Sequence, residues 1–281
     1  MSNLTDYGEN RFADMVRGQG LTFPASWRFA PLSAASDSAL TEITGSGIAR
    51  AALTRNLTNF SGTQGAGTTL ASSGTSRTTS NNVDIDMGIA PGAVGTMTHV
   101  GLFDAASGGN CWAYAQLGTP VVTAAAVALL VPAGSLAFTL GLSGGPTDYL
   151  INLLLDKFLR GQAFTYPSSV WLAPYVAGGA EVGGGVGYSR LELESTLTAL
   201  SGTQAPGTTS ASSGTGGRIS NNNPLVFADP TGTWGDIDRL GVFDASSAGN
   251  ELWRAALATT KSIGVGLPLT FQADKVGFTF A

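Results

Sequence analysis

The chain has 281 residues, of which 39 are glycine and only 12% are charged. That is about twice the usual glycine and half the usual charge; a 43% hydrophobic content excludes a disordered chain, and the glycines lack the three-residue period of collagen. The net charge is −5 with Lys and Arg scattered, so no basic face for nucleic acid is visible, and the single Cys111 excludes an intramolecular disulfide framework or a cysteine-rich zinc site.

The opening residues, MSNLTDYGENRF, have neither a basic nor an apolar leader region, so no secretory signal is expected. Residues 10–18 (NRFADMVRG) put Phe12, Met15 and Val16 on one face, which predicts a short helix. Residues 61–82 are rich in Ser, Thr, Gly and Asn, and read either as edge strands or as exposed loops. Residues 83–87 alternate apolar and acidic, the pattern of a strand with one dry side. Residues 98–103 are mostly apolar on both sides, as a central strand is. The longest apolar stretch, 121–131, is broken by Thr123 and ended by Pro132. It falls short of the roughly 20 residues that a membrane helix takes.

GLSGGPTD, at 141–148, has the glycine and proline of a boundary. A second helix follows over 148–158, capped by Thr147 or Asp148, with Leu150, Leu153, Leu154 and Phe158 at helical spacing and Gly161 ending it. Residues 170–173 form a short strand stopped by Pro174. The glycine-rich 179–187 lacks the GK[ST] of a phosphate loop and reads as a plain loop. Residues 201–223 repeat the Ser/Thr/Gly/Asn composition; 236–243 is a central strand, and 252–257, 269–271 and 276–280 are further strands.

These two series are copies of one another. SGTQGAGTTLASSGT begins at Ser61 and SGTQAPGTTSASSGT at Ser201, an offset of 140. The offset persists through GLFDAASGGN at Gly101 and GVFDASSAGN at Gly241. Upstream, RGQ recurs at Arg17 and Arg160, an offset of 143, so three residues are lost between Pro174 and Tyr188. The expected organisation is a first repeat at 1–141, a linker at 142–147 and a second repeat at 148–281. The fold expected is mainly β: two similar antiparallel β-sandwiches, each preceded by a short N-terminal α-helix.

The duplication is an internal control on the residues that could carry chemistry. The only histidine, His99, has Arg239 as its counterpart in the other copy, as fits a partly exposed surface strand residue. Asp104 and Asp244 open the repeated F-D-A-x-S-x-G-N stretch, where an Asp that fixes a turn explains the repetition without catalysis. Asp84 and Asp86, and separately Asp229, Asp236 and Asp238, do not align and match no calcium-loop pattern, so no metal or other cofactor is expected. Trp112 and Trp253 lie in corresponding strands, and Trp27 and Trp171 flank a shared one, which favours the core. Trp234 pairs with Val94 and is the candidate for an exposed glycan or partner contact.

The second copy runs TDYLINLLLDKFLRG, YPSSVWLAPY, GGGVGYSR, a Thr/Ser/Asn-rich middle, WGDIDRLGVFDASSAGN, LWRAALATTKSI and GFTF. This order resembles a virion-protein domain of tailed bacteriophages and gene transfer agents, labelled tail fibre or head spike protein. The first copy supplies THVGLFDAASGGN but has GIAR for the tyrosine segment and lacks the WG at 94–95, which points to different neighbours for the two copies. The resemblance implies a structural, non-enzymatic component made in the bacterial cytoplasm and carried in the virion. Its favoured role is a head spike base joining the capsid to a host-capsule-binding fibre, with a tail-fibre or baseplate segment as the alternative. The partners implied are capsid or other virion proteins and the spike fibre; the duplication adds the expectation of a homo-oligomer, and a competing reading, a carbohydrate-binding module that contacts host surface polysaccharide through Trp234, rests on that residue being exposed.

Overall fold

The structure, a computed structural model, describes residues 4–140 and 142–280. Gly141, the last residue of the expected first repeat, therefore lies outside the described residues, as do residues 1–3 and 281.

The first copy runs α1 (Asp6–Val16), β1 (Ser26–Ala35), β2 (Leu40–Glu42), β3 (Ala51–Thr54), β4 (Thr78–Ser80), β5 (Ile85–Ile89), β6 (Thr96–Phe103), β7 (Cys111–Val122), β8 (Ala128–Val131) and β9 (Ala137–Thr139). The second runs α2 (Asp148–Leu159), β10 (Ser169–Val176), β11 (Leu191–Glu194), β12 (Arg218–Ser220), β13 (Leu225–Val226), β14 (Gly235–Phe243), β15 (Glu251–Ile263), β16 (Thr270–Phe271) and β17 (Gly277–Thr279).

Each copy is built on one antiparallel sheet. In the first the order is β2-β1-β6-β7 with β3 also pairing β1; in the second it is β11-β10-β14-β15. The strands expected to be central, β6 and β14, are inner strands, beside β1 and β10. Two short ribbons complete each copy: β4–β9 and β5–β8 in the first, β12–β17 and β13–β16 in the second. Rings meet across the core between the layers, Phe29 with Phe138 at 6.3 Å and Trp253 with Phe278 at 4.9 Å. On β5, Ile85 and Met87 are buried and Asp86 is exposed, the expected alternation, with the strand set two residues later than the pattern suggested.

Both helices start earlier or as expected at a threonine. Thr5 and Thr147 cap α1 and α2 by accepting from the amides of Gly8 and Leu150. Each cap hydroxyl also donates to the first carbonyl of its own copy's edge strand, Cys111 O at 2.6 Å and Glu251 O at 2.7 Å. Each helix N-terminus is thus tied to its own sheet. Gly18 and Gly161 end the helices with φ of 77° and 69°.

The segments at 61–82 and 201–223 are loops for most of their length, with β4 and β12 near their ends. The shortening of the second copy falls in a hairpin. Where β1 and β2 form a ladder in the first copy, the second has a single bridge, Tyr175 to Glu181.

Candidate functional site

The FDA stretch is a structural lock in both copies. Asp104 accepts from the backbone and side chain of Asn110 and from Trp112 Nε1; Asp244 accepts from the backbone and side chain of Asn250. Burial pushes the Asp104 carboxyl up, but these hydrogen bonds outweigh it and hold the group below its ordinary range. An arginine clamps the turn from outside. Arg50 lies 3.6 Å over the Phe103 ring, forks onto Glu42 and donates to the carbonyls of Ala105 and Gly108. Arg190 does the same over Phe243, with Glu181, Ala245 and Ala248. Tyr188 of the G-Y-S-R segment adds a hydrogen bond to Glu181 at 2.6 Å, which Ile48 at the corresponding place in GIAR cannot make.

The repeated Ser/Thr/Gly loops form the other site. Each receives the helix C-terminus of the opposite copy. Arg160, fully buried, donates to the carbonyls of Phe60, Thr68 and Leu70, to Ser72 Oγ and to Asp156 on its own helix. Arg17, also fully buried, donates to the carbonyls of Leu200, Thr208 and Ser210, to Ser212 Oγ and to Asp14. The aspartates complete the fork: Asp156 accepts from the Ser72 amide at 2.8 Å and Asp14 from the Ser212 amide at 3.0 Å. One helical turn earlier, Asn152 bonds Thr63 and the Gly74 carbonyl, while Asn10 bonds Thr203 and the Gly214 carbonyl.

Every socket residue in this reciprocal set is 140 positions from its equivalent. The two copies clasp each other about a pseudo-two-fold axis, residue i of one meeting residue j of the other and the reverse. Only glycine fits at the closest approaches. A Cβ on Gly18 would lie 2.2 Å from Ser195 O, and one on Gly161 2.6 Å from Arg55 O. A fully buried ion pair is stable only when its remaining hydrogen-bonding groups are satisfied, and here the loop carbonyls do that. Apolar packing joins in: Phe12 of α1 and Phe158 of α2 meet at 5.5 Å, and Phe158 lies 5.0 Å from Trp27.

Sequence reasoning passed over this clasp, although the signal was present. T-D-Y recurs at Thr5 and Thr147, followed by Asn10 with Asp14 and by Asn152 with Asp156, then by R-G-Q. Nothing in a loop's composition says that its carbonyls face another copy's arginine.

The other candidate residues are dispersed. Trp234, expected to be exposed, is only 5% exposed; its Nε1 donates to Val186 O and its ring packs on Tyr188 and Phe227. It fills the second copy's core, under the loop that carries Val186 and Tyr188. Trp112 and Trp253 are buried, as is Trp27, whereas Trp171 is half-buried. His99 is half-buried beside Thr98 and Tyr114, and burial lowers its pKa. Asp84 accepts from the Ala133 amide, Asp86 from the Gly88 amide and Asp236 from Ser262 Oγ, while Asp238 pairs loosely with Arg239. Among the described residues no three of His, Cys, Asp and Glu converge as metal ligands. A carboxylate that sequence reasoning did not single out, Glu9, is buried on α1 near Asp6 and Asp37. Burial first, and those two charges next, push its pKa up to about 8. No helix among the described residues is long and apolar enough to cross a membrane.

No curated protein matches the chain. The family described as podophage GP4 fiber I protein gp80 matches it twice, over residues 3–139 and 145–279, so one match falls on each clasped copy. The chain belongs to that family, as a fibre-type structural component of the phage virion that carries the family's unit in tandem.

Proposed function

We propose that the chain is a head spike base: a non-catalytic adaptor that joins the capsid to a host-capsule-binding fibre. One observation carries this reading. The reciprocal clasp makes two copies into one block, while their outward surfaces have diverged. Arg17 and Arg160 are matched bond for bond, but away from the clasp Lys261 stands where the first copy has Val121 and Lys275 where it has Ser135. A block joined by a repeated set of clasp bonds, with different outer faces, suits a part that meets two different neighbours. The proposed units are 1–141 and 148–281, with 142–147 between them.

Immunogold labelling of purified particles tests the placement. Label at head vertices is the expected result. Label confined to the tail tip would move the assignment to a tail-fibre or baseplate segment, and particles without label would remove the chain from the virion altogether.

A further inference from the structure

The open side of the second sandwich holds a cleft of about 610 Å³ between β14–β15 on one side and β16 and β17 on the other. Its walls are apolar, from Leu240, Val242, Trp253, Phe271, Val276 and Phe278. Its rim carries exposed Lys261, Gln272 and Lys275. The whole chain has three lysines, and two of them stand here. Neither has an ion pair among the described residues; Asp274, next to Lys275, is paired with Arg218 at 2.6 Å.

The first copy has none of this chemistry. The equivalents of Lys261, Gln272 and Lys275 are Val121, Pro132 and Ser135, and Val121 packs against the core. On this rim charge stands in one copy only.

Two further features define the occupant. The β14–β15 register jumps from Ala256 opposite Arg239 to Lys261 opposite Ile237, so Leu257, Ala258, Thr259 and Thr260 stand out of the ladder. Three of these, Leu257, Ala258 and Thr259, line the cleft; the first copy has the same jump, from Gln116 opposite His99 to Val121 opposite Met97, but without the lysines beside it. The buried indole N–H of Trp253, a wall residue, has no acceptor among the described residues.

We propose that this cleft docks an extended, acidic polypeptide segment of a neighbouring virion protein, with one large apolar side chain seated between the sheets. The apolar walls take the side chain, the out-of-ladder backbone pairs with the segment's main chain, and the lysines meet its carboxylates. A sugar fits less well. Its hydroxyls would lose water against walls with few polar groups, and the Trp253 ring, 2% exposed, offers no open face to stack on.

This inference rests on the adaptor reading, and the experiment separates the two. Thr259→p-benzoylphenylalanine is introduced in the full chain, with Thr119→p-benzoylphenylalanine at the equivalent place in the first copy as control. Purified particles are irradiated and the adducts sequenced by mass spectrometry. The expected result is an adduct from position 259 to an acidic segment of a different virion polypeptide, at least ten times more abundant than any from 119. The yield should fall at least ten-fold with K261E/K275E, and again with Ala255→Leu, which narrows the cleft without changing charge. Adducts to glycan, to lipid or to a second copy of this chain, or none at all in particles that contain the protein, would overturn the docking proposal alone. Absence of the protein from particles would overturn the adaptor reading and the docking proposal with it.

Discussion

The two halves of the clasp share one set of bonds but are not equal. Where the first copy grips α2, Arg55 donates to the carbonyls of Lys157 and Phe158, and Trp27 Nε1 donates to Phe158 O at 2.9 Å. A cation at a helix C-terminus meets carbonyls that the helix leaves free. Where the second copy grips α1, Arg55 is replaced by Ser195, whose buried hydroxyl has no partner among the described residues, and Trp27 by Val170. Arg77 adds a bond to Asp148 at 2.6 Å on the first side, and Gly217 stands in its place on the other. The repeated residues make the pseudo-dimer; the unrepeated ones make one side of it firmer.

The largest effect that could break this comparison is loss of a clasp arginine. Arg17→Met and Arg160→Met each leave a buried aspartate unpaired, at a cost of about 3–5 kcal/mol. Denaturant unfolding should show Arg17→Met as the worse of the two, because Arg55 and Trp27 still hold the end of α2. The reverse order would mean that the asymmetry is not energetic.

Crowding the socket comes next. A Cβ on Gly74 or Gly214 would lie 2.2 Å from the carbonyl of Thr63 or Thr203. Gly74→Ala and Gly214→Ala should each cost about 1–3 kcal/mol, and by nearly the same amount, since the sockets match. A clear difference in their melting temperatures would show that the sockets are equivalent in outline only.

Arg55→Ser, which gives the first copy the second copy's residue, should cost about 1–3 kcal/mol through the lost bonds to helix carbonyls. Ser195→Ala, by contrast, removes a buried hydroxyl without a partner and should leave stability unchanged or slightly raised.

A pH dependence carried by Glu9 gives a test of a different kind, since only the first copy has a carboxyl at this helix position. Glu9 binds its proton more tightly folded than unfolded, its pKa raised from 4.5 to about 8. Its contribution to stability is therefore greatest below the unfolded value and falls as pH rises through about 8. Glu9→Gln should flatten that fall in a series of thermal melts. The second copy has Ile151 at the corresponding helix position and so no carboxyl to titrate there. An unaltered pH profile in Glu9→Gln would assign the fall to other groups.

Much of the architecture was legible because it depends on local pattern. The helix of Leu150 and Phe158, the central strands β6 and β14, and the turn fixed by Asp104 all follow from spacing along the chain. Trp234 was misjudged because a one-copy aromatic looks like a surface addition until the loop of Tyr188 is seen to fold over it. The clasp was missed for a related reason. Arg17 and Arg160 are charged residues at helix ends, ordinarily solvated, and their burial depends on carbonyls about 190 and 90 residues away in sequence.

By itself, then, the sequence determined the duplication, the mainly β class, the placement of the helices and the family resemblance, since each is written in residue order or short-range periodicity. Only the tertiary structure decided that the most faithfully repeated loop is a socket, that each helix belongs by its N-terminus to one copy and by its C-terminus to the other, and that two lysines share a cleft. Those are facts about which distant groups meet. A buried arginine is tolerated only where carbonyls and a carboxylate converge on it, and that convergence exists only once both copies have folded against each other.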